Sequence, residues 1–198
     1  VLIRYFIFIF LTFNFRNLSH MKKLLLSFTT ALIFFQLTAQ NPPAFWQEIV
    51  AFKKKDSIQV APSNAILFVG SSSFAMWRDV NNYFPGYTII NRGFGGSILP
   101  DVIRYSYDII LPYQPKQVVV YCGENDLATA DSVSAMEVSN RFKTLFGIIR
   151  TNLPKANICF ISMKPSPSRA ILQNKMKAAN TLIKPVSYTH LTLPTNRE

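Results

Sequence analysis

Three short stretches carry side chains able to do chemistry: Gly70-Ser71-Ser72-Ser73, Asn91-Arg92-Gly93-Phe94-Gly95-Gly96-Ser97 and Gly123-Glu124-Asn125-Asp126. A serine hydroxyl in a turn that opens a helix lies beside unpaired backbone N–H groups, which favour developing negative charge. The first stretch therefore reads in three ways: a nucleophilic serine, a small phosphate-binding loop, or serines that cap a helix begun by Phe74-Ala75-Met76-Trp77. Three glycines within four positions of the second stretch suit backbone that turns sharply or approaches a ligand closely. Their spacing does not match a dinucleotide fingerprint. In the third stretch Asn125 can donate a side-chain N–H into a crevice and Asp126 can hold its loop through backbone hydrogen bonds; an Asn-Asp turn is the plainer alternative.

The elements that must position these residues follow from hydrophobic patterning. Continuous apolar runs at Ala65 to Val69, Thr88 to Ile90, Gln117 to Cys122 and Asn157 to Ser162 suit strands buried on both faces. Helical spacing predicts helices over Pro43 to Lys54, Leu99 to Ile110, Ser132 to Thr151 and Arg169 to Ile183, with Ser134 and Glu137 spaced as a capping box. Strands alternating with helices imply parallel crossovers and a three-layer α/β/α sandwich. Ligands of such sheets bind at the carboxyl ends of the strands, which is where all three stretches fall.

The chain of 198 residues, 49% of them hydrophobic, can bury one sizeable core. Met21 to Gln40, MKKLLLSFTTALIFFQLTAQ, has the order of a secretory signal peptide: two lysines, an apolar stretch, then small and polar residues around Ala39. Its apolar part is shorter than the roughly 20 residues of a membrane span, so no stable span is expected after cleavage. Residues 1–20 read as upstream translation, and the expected location is the periplasm or the exterior of the cell. Residues 186–198, VSYTHLTLPTNRE, resemble a reading frame through a transposase adapter used in sequencing libraries, so the expected domain is 41–185. The formal charge of +11 is discounted accordingly: residues 41–185 hold 16 Lys and Arg against 9 Asp and Glu, an excess of seven. Apart from Lys53-Lys54-Lys55 these cations are scattered, which argues against a nucleic-acid surface. Cys122 and Cys159, the only two cysteines, are expected as buried free thiols in parallel strands.

Taken together and in this order, GSSS, NRGFGGS and GEND resemble blocks one, two and three of the SGNH hydrolases, the GDSL-type lipases and esterases. The resemblance covers Ala65 to Pro185, and ISMKPSPSR (Ile161 to Arg169) is similar to secreted bacterial members with a serine-rich first block. It implies a flavodoxin-like parallel sheet and an ester hydrolase that needs no metal or cofactor. It makes Ser72 the nucleophile, with Gly70 in the turn before it and Ser71 where the family name has aspartate. The backbone N–H groups of Ser72 and Gly96 and the side chain of Asn125 would form the oxyanion hole. The expected substrate is a small-molecule or carbohydrate ester; Trp77 and Phe94 could contact its acyl chain or sugar, with aromatic core packing as the plainer alternative.

A serine nucleophile needs a general base, which this family takes from a late D-x-x-H block. The two histidines are His20, before the leader, and His190, within the adapter-like tail, and neither follows an aspartate by three residues. The expectation is that the last strand, the last helix and the D-x-x-H loop are missing, leaving a weak or inactive hydrolase and an uncovered sheet edge. The alternative is a non-catalytic glycan- or anion-binding module on the same fold.

Overall fold

The computed structural model describes Lys23, Ser27 and residues 42–164 and 166–188. The chain divides into two units at Pro43/Ala44; Lys23 and Ser27 of the first are helical, and everything below concerns the second.

Four strands form one parallel sheet in the order β2-β1-β3-β4: β1 (Ile66–Gly70), β2 (Ile89–Gly93), β3 (Gln117–Tyr121) and β4 (Asn157–Phe160). The period of two decides what each residue packs against. Leu67, Val69, Ile90, Val118, Val120 and Ile158 enter one apolar cluster, while Phe68, Ile89, Val119 and Tyr121 enter another. Because both faces are buried, the strands read as unbroken apolar runs. The expected strands stand, with ends shifted by one to three residues. Among the described residues β2 and β4 are the edges.

The helices are α1 (Trp46–Ile58), α2 (Ser72–Met76), α3 (Leu99–Arg104), α4 (Ser106–Ile109), α5 (Glu124–Thr129), α6 (Ala135–Asn152) and α7 (Gln173–Tyr188). Ile49 of α1, Val102 of α3, Phe142 and Leu145 of α6 and Met176 of α7 fill the larger cluster, and Phe74 of α2 the smaller one. Ser134 caps α6 by accepting from Glu137 N at 3.1 Å. None of the described helices is long and apolar enough to cross a membrane.

Two helix expectations need correction. The helix expected over Leu99 to Ile110 is broken at Tyr105, whose hydroxyl donates to Ala44 O at 2.6 Å and whose ring packs against Trp46 and Phe94. The Ser106 hydroxyl adds a competing bond to Ile103 O at 2.8 Å. The last helix begins at Gln173 rather than Arg169, because Pro167 opens a 3-10 segment (Pro167–Leu172) whose dihedrals depart from helical values at Arg169. It then continues past Pro185 to Tyr188, although a proline inside a helix forfeits one backbone bond.

Cys122 and Cys159 are free, as expected, but only Cys122 is fully buried; Cys159 is half-buried. Cys159 pairs in register with Val119, three residues from Cys122, so the two thiols belong to opposite faces of the sheet and cannot meet. Burial pushes both thiols above their ordinary pKa, with the nearby Asp126 carboxylate adding to the effect at Cys122. Neither is an activated nucleophile.

Candidate active site

Register brings the three stretches to one level of the sheet. Gly70 is the partner of Gly93 on one side and of Tyr121 on the other, so the chain leaves β1, β2 and β3 in a single row. At Gly70 φ is 146°, and a Cβ there would stand 2.0 Å from Tyr121 O. A Cβ at Gly93 would stand 2.5 Å from Phe74 Cβ. These two glycines let the turn after β1, and the helix it opens, lie directly on the neighbouring strands.

Ser72 is the first residue of α2 and is half-buried. Ser71 occupies the N-cap, yet its side chain makes no capping bond; the turn is closed instead by Phe74 N and Ala75 N donating to Ser71 O. The capping explanation therefore does not account for the Ser71 hydroxyl. Five residues make a helix too short for much of a macrodipole, so any pull on negative charge here comes from individual N–H groups.

Hydrogen bonds tie the loops together. Ser71 N donates to Tyr121 O at 3.1 Å and Phe94 N to Gly70 O at 3.0 Å. The buried Ser97 hydroxyl reaches Gly70 O at 3.2 Å and Phe94 O at 3.1 Å. Asn125 Nδ2 donates to Ser97 O at 3.0 Å, joining the third loop to the second. Asp126 is wholly buried and accepts Leu99 N at 2.9 Å and Arg141 Nη1 at 2.8 Å. Its carboxylate thus reaches the neighbouring loop through Leu99 N as well as the backbone of its own. Burial outweighs Arg141 and raises the Asp126 carboxyl above its ordinary pKa.

Gly96 lies in an exposed turn at φ 81°. Among the described residues, neither its N–H nor that of Ser72 meets an acceptor. Asn125 is half-buried and commits one of its two Nδ2 hydrogens to Ser97. Three donors beyond three adjacent strand ends are thus left with bonding capacity.

Two residues that sequence reasoning passed over shape this crevice. Asn91 Nδ2 donates to Phe74 O at 2.7 Å and Trp77 O at 3.0 Å, and its Oδ1 accepts Gly93 N at 2.9 Å, so it pins the far end of α2 to β2. Arg169 Nη2 donates to Asn125 Oδ1 at 2.6 Å, and its Nη1 stands 3.8 Å from Glu124 Oε2. Glu124 Oε1 accepts the Tyr121 hydroxyl at 2.5 Å and Lys164 N at 3.2 Å, which brings the segment after β4 against the end of β3. Burial first, and the Glu124 carboxylate second, push the Tyr121 phenol well above its ordinary pKa.

The aromatic candidates serve the core. Phe94 is 1% exposed and packs edge-on to Phe45 and Tyr105; Trp77 packs against Phe68, Tyr83 and Phe84. His20 and His190 lie outside the described residues, as do all of the expected leader but Lys23 and Ser27 and most of the adapter-like tail. No grouping of three or more His, Cys, Asp or Glu able to hold a metal occurs among the described residues.

No protein-family model matches this sequence, and no curated protein matches it either. Solved structures do. A GDSL-like lipase from Bacteroides thetaiotaomicron aligns with a TM-score of 0.61 at 16% identity, covering 71% of this chain and 73% of the other. A protein assigned as an acylhydrolase, from Bacteroides fragilis, aligns with a TM-score of 0.63 at 16% identity, covering 76% and 75%. An acetylxylan esterase from Geobacillus stearothermophilus aligns with a TM-score of 0.51 at 13% identity, covering 66% and 74%. At these identities the likeness is one of fold. With its parallel sheet and its three loops level at the strand ends, this chain has the fold of the SGNH hydrolases, the GDSL-like lipases and acylhydrolases.

Proposed function

We propose that this chain carries the nucleophile and oxyanion side of an exported serine esterase that cleaves carboxylic esters, acetyl esters of carbohydrates among them. The observation that carries the reading is the half-buried Ser72 at the head of α2, flanked by the uncommitted N–H of Gly96 and the partly committed amide of Asn125. The acetylxylan esterase among the similar folds supports the substrate class. The leader-like order of residues 21–40 supports export.

The chemistry is acyl transfer. Ser72 Oγ attacks the ester carbonyl carbon and passes its proton to a general base. The carbonyl oxygen becomes an oxyanion held by Ser72 N–H, Gly96 N–H and Asn125 Nδ2–H. Collapse expels the alcohol, protonated by the base, and leaves an acyl-Ser72 ester that water hydrolyses by the same steps in reverse order. Neither histidine of the sequence follows an aspartate by three residues, so we assign the base to neither and expect the 198-residue chain to turn over esters poorly.

The test is to read the source gene past the codon for Pro185 in an independent assembly, express the resulting chain and assay p-nitrophenyl acetate hydrolysis in wild type and Ser72→Ala. A D-x-x-H sequence after one more strand, with hydrolysis lost in Ser72→Ala, is the expected result. Equal rates in the two proteins discard Ser72. A chain with no D-x-x-H and no turnover favours a binding module.

A further inference from the structure

The Arg169 guanidinium ends on the amide oxygen of Asn125 at 2.6 Å, while the amide nitrogen is taken at 3.0 Å by Ser97 O. Guanidinium only donates and a carbonyl only accepts, so this pair of neighbours fixes which end of the amide faces which way. Turning the amide over would set oxygen against the Ser97 carbonyl and NH₂ against the guanidinium, two repulsive contacts in place of two bonds. An asparagine without this tether could present its oxygen to the crevice, where it would repel an oxyanion. Donation from a cation to Oδ1 also draws electron density from the amide nitrogen and makes its remaining N–H a stronger donor.

We infer that Arg169 is a positioning residue for ester hydrolysis: it locks Asn125 with Nδ2–H toward the crevice and strengthens that donor. This rests on reading Asn125 as an oxyanion donor. The strap that delivers Arg169 is itself anchored. Asn180 of α7 accepts Met163 N at 3.0 Å and donates to Met163 O at 2.9 Å, and Lys164 N is held by Glu124. Glu124 Oε2 at 3.8 Å gives the guanidinium a second, weaker restraint. The Arg169 side chain is only 30% exposed, so water competes incompletely for the Asn125 bond.

Two measurements test this. In the 198-residue chain labelled with ¹⁵N-asparagine, Arg169→Ala should move the Asn125 side-chain resonances and leave those of Asn91 in place. Unmoved Asn125 resonances overturn the inference. In the hydrolytically active chain, Arg169→Ala should lower kcat about tenfold with KM within about twofold and the melting temperature unchanged. Arg169→Lys, which keeps one charged donor, should recover part of the loss, and Asn125→Ala/Arg169→Ala should be no slower than Asn125→Ala alone. A normal kcat in Arg169→Ala beside a slow Asn125→Ala discards the positioning role and keeps the oxyanion reading. Normal turnover in Asn125→Ala discards the oxyanion reading and with it anything acting through Asn125. Independent, multiplying losses would mean that Arg169 meets the substrate itself, which also overturns the inference.

Discussion

Two asparagines flank β1, the strand that leads into Ser72: Asn91 in the middle of β2 and Asn125 just beyond the end of β3. Asn91 spends its amide completely, with both Nδ2 hydrogens on the carbonyls of Phe74 and Trp77 and its oxygen on Gly93 N. Asn125 spends one hydrogen on Ser97 and its oxygen on Arg169, and keeps one hydrogen back. The residue type and the place relative to the sheet are similar; what differs is the unspent donor. A saturated polar side chain holds a fold together, whereas one left with capacity at a crevice can meet a substrate.

The sharpest way to break this contrast is Asn125→Ala in the hydrolytically active chain. Loss of one oxyanion donor typically lowers turnover by ~10²–10³, and here the melting temperature should barely move. Wild-type turnover would return Asn125 to the same structural class as Asn91. The complementary change, Asn91→Ala, leaves Trp77 O and Gly93 N without a partner in a part-buried setting, and Phe74 O with only the N–H of Trp77. Each such group costs about 1–3 kcal/mol when water cannot fully replace the bond, so the urea midpoint should fall by the equivalent of about 2–4 kcal/mol with an unchanged slope. If Asn91→Ala instead kept its stability and lost only turnover, the division between the two residues would fail.

Why one asparagine was readable from sequence and the other was not has a physical reason. Asn125 belongs to a four-residue block whose neighbours are informative, and the resemblance singles it out. The partners of Asn91, the carbonyls of Phe74 and Trp77, are backbone atoms 17 and 14 residues earlier, and backbone atoms leave no trace in residue type. Arg169 was visible as the end of the ISMKPSPSR segment but carried no role there, because its meaning depends on a contact with Asn125 across 44 residues. The strands were readable because burial on both faces writes itself directly into composition. The helix over Leu99 to Ile110 was misread at Tyr105, where a tertiary bond to Ala44, 61 residues away, overrides a sound local pattern.

The contrast extends to the two arginines beside these asparagines, and gives the smallest effect. Arg92 engages all three of its guanidinium nitrogens inside the fold: Nε donates to the Tyr113 hydroxyl at 2.6 Å, Nη1 to Asn91 O at 2.9 Å and Nη2 to Asp56 Oδ1 at 2.5 Å, with the rings of Phe52 and Tyr113 against its guanidinium. The Tyr113 hydroxyl in turn donates to Asp56 Oδ2 at 2.5 Å. Burial first, and that bond to Asp56 second, push the Tyr113 phenol up to about 12, against an unfolded value near 10. The folded protein therefore holds this proton more tightly than the unfolded chain. The resulting stability is fully present below pH 10 and is lost as pH rises from 10 through about 12. Tyr113→Phe should lower stability at neutral pH and flatten the decline of the urea midpoint between pH 10 and about 12 relative to wild type, a window set by the two pKa values. Parallel declines in the two proteins would show that the Tyr113 phenol is not held between Arg92 and the Asp56 carboxylate of α1, and the contrast between the two arginines would lose its buried member.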